Sequence, residues 1–204
     1  MQDNYISEEM VQKTVAFHGH MCPGLAIGIR AAEVALRDIG VHAQDEEIVA
    51  VVETDMCGVD AIQFLTGCTF GKGNLIHLDY GKNAFTFYRR SDGKGIRLVS
   101  RPEALGEPDP EWAALRERLG DQNLSPEERH RFQELHAARS RHILDLPLDK
   151  LFHLHEPQGH IPHHARIMDS VPCESCGEQV METRTRRFQG KTLCIPCFNE
   201  KEQR

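Results

Sequence analysis

The stretch "CESCGEQVMETRTRRFQGKTLCIPC", residues 173–197, constrains this chain more than any other. Cys173 and Cys176 form one Cys-x-x-Cys pair, and Cys194 and Cys197 form a second. A segment this short buries too little apolar surface to order itself, whereas four thiolates around Zn²⁺ supply the folding energy directly. "QVMETRTRRF" alternates apolar and polar residues and "QGK" can reverse the chain, so a hairpin would carry the second pair back to the first. Residues 171–204 therefore read as a four-cysteine zinc ribbon whose closed coordination makes the metal structural. Arg184, Arg186, Arg187 and Lys191 offset the surplus negative charge of a zinc tetrathiolate. The competing readings are a phosphate-binding face built on those cations and a redox dithiol in either pair.

The rest of the chain is long enough for a core of its own. It has 204 residues, 40% hydrophobic and 27% charged, the balance of a water-soluble protein with one sizeable domain and a small appendage. No apolar run approaches the roughly 20 residues that span a bilayer, and "MQDNYISEEMVQ" lacks the regions of a signal peptide, so a cytoplasmic protein with no membrane contact is expected. Seven cysteines are an odd set for disulfides, which favours free thiols and metal ligands. The formal charge of −7 argues against salt-driven nucleic-acid binding by the whole chain.

Periodicity gives an α+β order. "ISEEMVQKTVAFH" carries apolar residues at helical spacing behind Ser7, and "CPGLAIGIRAAEVALRDIG" reads as a helix capped by Cys22 with Pro23 in its first turn. "EEIVAVVET" is a buried strand, and "GVDAIQFLTG" a short helix. "NLIHLD", "AFTFYRR" and "IRLVSR" follow as three strands joined by the turns "YGKN" and "SDGKG". Two later helices lie in "EPDPEWAALRERLG" and "LSPEERHRFQELHAARSRHILDL", the second opening with a capping box and reading as a docking or dimer helix. The expected domains are an α+β domain with a helical extension over 1–155, a linker over 156–170 and the ribbon over 171–204.

"AFHGHMCPG" places His18, His20 and Cys22 at alternate positions. In an extended segment the three side chains would project to one side. Cys22 also stands at a helix N-terminus, a setting that suits a metal ligand or a nucleophile. The alternative is a capping cysteine beside two incidental histidines. Further soft ligands follow the first strand in "MCGVDAIQFLTGCTFGKGNL", where Cys57, Asp60 and Cys68 precede the glycine-rich "FGKGN" with Lys72. Cys68 reads equally well as a buried filler, and "FGKGN" lacks the full P-loop pattern.

Together, "FHGHMCPGLAIGIRAA", "ETDMCGVDAIQFLTGCTFGKGNL" and "CGEQVMETRTRRFQGKTLCIPCF" resemble the E-subunit family of formylmethanofuran dehydrogenase. The resemblance implies a helix-strand-helix-three-strand mixed sheet like the catalytic domain of glyceraldehyde-3-phosphate dehydrogenase, a homodimer, and in some members a zinc ribbon. It marks His18, His20, Cys22 and Cys57 as an N-terminal site, with Asp60, Cys68 and Lys72 nearby; Cys22 and Cys57 are its candidate catalytic thiols. Besides the structural zinc, the implied cofactor is a second transition metal, Zn, Ni or Fe.

His153, His155, His160, His163 and His164 raise a further metal hypothesis for the linker, although alternation in "LFHLHE" also fits a half-exposed strand with solvated imidazoles. Three functions follow. The first is a metal-binding protein supporting a molybdenum or tungsten oxidoreductase or its metal handling. The second is a stand-alone metalloenzyme using the His/Cys site. The third is a regulatory module whose ribbon contacts RNA polymerase or nucleic acid.

Overall fold

The computed structural model describes residues 5–106, 109–120 and 124–203. The chain divides into two compact units, Met1–His164 and Ala165–Arg204.

The first unit opens with helices α1 (Glu8–His18) and α2 (Pro23–Asp38), then strand β1 (Ile48–Val52), helix α3 (Gly58–Thr66) and strands β2 (Leu75–His77), β3 (Ala84–Arg89) and β4 (Gly95–Ser100). Helices α4 (Pro110–Gly120), α5 (Pro126–Asp145) and α6 (Leu148–Leu151) lead into β5 (Phe152–His155). The α+β reading and its strand positions match this order, and β5 extends the sheet by one strand. The five strands lie in the order β2-β1-β3-β4-β5, with β1 parallel to β2 and the other neighbours antiparallel.

Side-chain alternation along the strands separates two faces. Ile48, Ala50, Val52, Phe85, Phe87 and Leu98 join Ala31 and Val34 of α2 and Ile143 of α5 in the main core. Nine residues of α2 are buried, which makes it the central helix. Truncating a fully buried side chain such as Leu25 to Ala would cost about 2–5 kcal/mol. The dimer-helix candidate α5 places Ile143 in this intramolecular core. On the other face, Glu53, Thr86, Tyr88, Arg97 and His155 line a cavity of about 830 Å³, where Arg97 holds the buried Glu53 carboxylate at 2.8–2.9 Å.

Residues 156–164, linker-like in composition, belong to the first unit. The Arg90 guanidinium holds them by donating to the carbonyls of Pro162 and His163.

The second unit has two hairpins, β6 (Ser170–Pro172) with β7 (Gln179–Met181), and β8 (Thr185–Phe188) with β9 (Lys191–Cys194), followed by helix α7 (Ile195–Glu202). "QVMETRTRRF" is thus not one strand, because Glu182–Arg184 forms a 3₁₀ turn between β7 and β8. Gln189 (φ 48°) and Gly190 (φ 80°) close the β8–β9 hairpin, both in the left-handed region that a two-residue turn of this twist requires.

Candidate metal centre

In the second unit, a tight turn brings Cys173 and Cys176 together, while Cys194 ends β9 and Cys197 sits in the first turn of α7. The four Sγ atoms lie within 4.8 Å of one another, with Cys176 and Cys194 3.9 Å apart. Backbone N–H groups, first that of Cys176 and then that of Cys194, pull the Cys173 thiol down to about 6. Cys197 is pushed up to about 12, first by its sulfur neighbour Cys194 and then by burial. Four convergent sulfurs with this charge pressure are the donor set of a tetrahedral Zn²⁺ site. Leu193 and Cys173 are buried in the small cluster around it, against Val180, Phe188 and Phe198.

In the first unit, α1 ends at His18 because Gly19 takes φ 99° and its N–H closes on the Val15 carbonyl. The chain reverses at once into Cys22, the N-cap of α2, whose sulfur accepts from Leu25 N–H at 3.3 Å. Cys57 stands at the N-terminus of α3. The two helices approach so closely that a Cβ on Gly28 would lie 2.5 Å from Gly58 Cα. That contact carries Cys57 to Cys22, and a Cβ at Gly24 would touch both sulfurs at 3.9 Å.

A ring nitrogen of His18, Cys22 Sγ and Cys57 Sγ lie within 4.8 Å of one another. His18 Nδ1 is 2.7 Å from Asp60 Oδ2. A carboxylate only accepts, so Nδ1 carries the proton and Nε2 is the nitrogen left to coordinate. Nε2 is buried and has no hydrogen-bond partner among the described residues. Burial, followed by hydrogen bonding and charge from Cys22, pushes the Cys57 thiol up. An orphaned imidazole nitrogen beside two thiols, with a carboxylate on the far side of the ring, has the chemistry of a soft or borderline metal site with three protein ligands.

The family model described as FmdE, molybdenum formylmethanofuran dehydrogenase operon, matches residues 17–153. The chain belongs to the FmdE family. A second model, the prokaryotic dksA/traR C4-type zinc finger, matches residues 167–203 and so contains all four ribbon cysteines. A crystal structure of an FmdE-like protein of tungsten formylmethanofuran dehydrogenase, from Syntrophus aciditrophicus, is similar at 26% identity and a TM-score of 0.59, covering 97% of this chain and 94% of that one. A protein of Archaeoglobus fulgidus named as a probable S-adenosyl-L-methionine-binding protein is 33% identical over 188 residues, 89% of this chain and 50% of the relative. The FmdE chain thus spans half the length of that curated relative.

Other residues singled out in the FmdE sequence are placed apart from the His18 group. His20 is exposed; its ring stacks on His18 with centroids 4.7 Å apart, outside the three-residue group. Because α1 runs through His18 and Gly19 turns the chain, residues 18–22 are not one extended segment. Cys68 is fully buried in the main core and reaches the Ile48 carbonyl at 3.4 Å, so it is a core side chain. Lys72 Nζ donates to the Ala43 carbonyl at 2.8 Å and ties down a loop. His153 and His155 project from β5 into solvent with rings 6.1 Å apart, and His160 lines the sheet-face cavity. Among the described residues no metal-capable group includes His153, His155, His160, His163 or His164.

Sequence reasoning missed a second wall near the site. His20 and Met21 line a cavity of about 610 Å³ with Trp112, Arg116, Phe132 and His136 from α4 and α5. The aromatic spacing within those two helices was its only trace in the sequence.

Proposed function

We propose that this FmdE-family chain is a metal-binding protein in which His18, Cys22 and Cys57 hold a transition ion, Zn, Ni or Fe, beside a ribbon whose zinc is structural. The observation that carries the reading is the buried, unpartnered Nε2 of His18, oriented by Asp60 toward two cysteine thiols. When bound, the ion would act as a Lewis acid or as cargo, because three protein ligands leave a coordination position that a four-cysteine site does not. Asp60 fixes the ring and its tautomer, while the N-termini of α2 and α3 present the sulfurs.

The family and the FmdE-like structural neighbour favour a role beside a molybdenum or tungsten oxidoreductase, in metal or cofactor handling. Homodimerisation and the likeness to the glyceraldehyde-3-phosphate dehydrogenase catalytic domain belong to the same reading. A second reading, a stand-alone metalloenzyme with Cys22 or Cys57 as nucleophile, is favoured by the aromatic and basic cavity one ring away from His18.

Elemental analysis of protein purified without added metal tests the site. About two metals per chain are expected, falling to about one in Cys57→Ala. Cobalt substitution adds a second readout, since thiolate-to-cobalt absorption should lose the part due to Cys22 and Cys57. One metal per chain, unchanged by the substitution, overturns the second site and leaves the ribbon alone.

A further inference from the structure

The cavity between α4, α5 and the α1–α2 turn has a chemistry of its own. Trp112, Phe132 and His136 form a stack, with Phe132 and His136 5.2 Å apart and only 26° out of parallel. Arg116 and Arg139 lie over the Trp112 ring at 5.2 and 5.0 Å, and Arg129 also lines the cavity. Trp112 Nε1–H donates to His136 Nδ1 at 3.4 Å, which leaves the His136 proton on Nε2. Burial, and then the positive charge of His20, Arg139 and Arg116, holds His136 below its ordinary range and so in the neutral form. Among the described residues lining the cavity none is acidic. The walls therefore offer ring faces for a flat group and guanidinium donors for negative charge, with nothing to attract a cation.

We propose that this cavity binds a small organic anion that carries a planar heteroaromatic ring, of the chemical class of a nucleoside monophosphate. The ring would stack on Phe132, His136 and His20, and the anionic group would engage Arg116 and Arg129. The cavity reaches the His18 group through the His20 ring, which stacks on His18, and through Met21, the residue before Cys22. This ligand would thus be held beside the proposed metal; that placement rests on the metal-site reading, whereas the binding itself does not.

The chain contains one tryptophan, and it is Trp112, so intrinsic tryptophan fluorescence reads this cavity alone. The experiment titrates the full-length protein with AMP, adenosine, inorganic phosphate and S-adenosylmethionine, with metal content measured on the same samples. A saturable change with AMP is expected, at least about ten-fold tighter than with adenosine or phosphate and weakened by added salt. Arg129→Ala should reduce AMP to the adenosine level while Arg129→Lys recovers part of the loss; Phe132→Leu should weaken AMP and adenosine alike. No saturable response to AMP, equal affinity for AMP and adenosine, or tighter binding of the cationic S-adenosylmethionine than of AMP each overturns the proposal. AMP binding without a second metal leaves the cavity standing and removes the metal, while a second metal without AMP binding does the reverse.

Discussion

Gly28 of α2 and Gly58 of α3 pack backbone against backbone: a Cβ on Gly28 would sit 2.5 Å from Gly58 Cα and closer still to its carbonyl oxygen. This contact lets the N-termini of two helices bring Cys22 and Cys57 together. Gly28→Ala cannot be absorbed by a rotamer change, because the atoms it meets are backbone. It should cost about 3 kcal/mol or more, at the upper end of overpacking, by forcing the helices apart. Metal analysis and thermal melting together check it: the first-unit metal should be lost and the melting temperature lowered, with the ribbon zinc kept. A variant that holds both metals at wild-type stability would contradict the close-packing account.

Asp60 gives a separate test of how His18 is held. Its carboxylate is 41% exposed, so Asp60→Ala should change global stability little, yet it removes the acceptor that fixes His18 Nδ1. Affinity at the His18 group should fall about ten- to a hundred-fold. Competition with a chromophoric chelator measures it, and affinity equal to that of the wild type would mean the ring is positioned by packing alone.

The α+β order was legible because its signals are local. Ser7 and Cys22 cap helices where the sequence says they should, Ser125 forms its capping box with Glu128, and β1 is an unbroken β-branched run. The four ribbon cysteines were legible through spacing alone. The geometry of "AFHGHMCPG" was not, because alternation predicts a shared side only along an extended chain, and Gly19 ends a helix in its middle. His18 therefore points with α1 toward Asp60, while His20 turns toward Trp112 and His136. Those two partners lie over ninety residues downstream, on helices whose exposed charge conceals their apolar side. The pairing of Gly28 with Gly58 depends on helix packing that no single segment encodes.

Cys68 provides the control for the metal site. It is fully buried, 20 residues in sequence from the Ile48 carbonyl that its thiol reaches, and burial pushes its thiol up. Cys68→Ala should lower stability by about 1 kcal/mol through the small cavity it leaves, and leave the metal content untouched. Loss of a metal equivalent from this variant, with the fold intact by circular dichroism, would place Cys68 among the ligands after all.

Removing a ribbon ligand should separate the two units. Cys173→Ser takes one sulfur from the four-cysteine group, so one zinc should be lost and residues 165–204 should unfold, while the first unit keeps its melting transition. The pH dependence follows from the same sulfurs. Zinc binds thiolates, so wherever a thiol holds its proton in the metal-free ribbon, binding must release it and affinity rises with pH. Cys197, pushed up to about 12 by Cys194 and by burial, gives up a proton on binding near neutral pH. Cys173, drawn down to about 6 by backbone N–H groups, is already ionised there, and it adds a second competing proton only as the pH falls through that value. Zinc affinity should therefore decline from pH 8 downward and more steeply below about 6. Calorimetry in buffers of different ionisation enthalpy measures the protons released per zinc, and release that is zero or constant across this range would contradict the assignment.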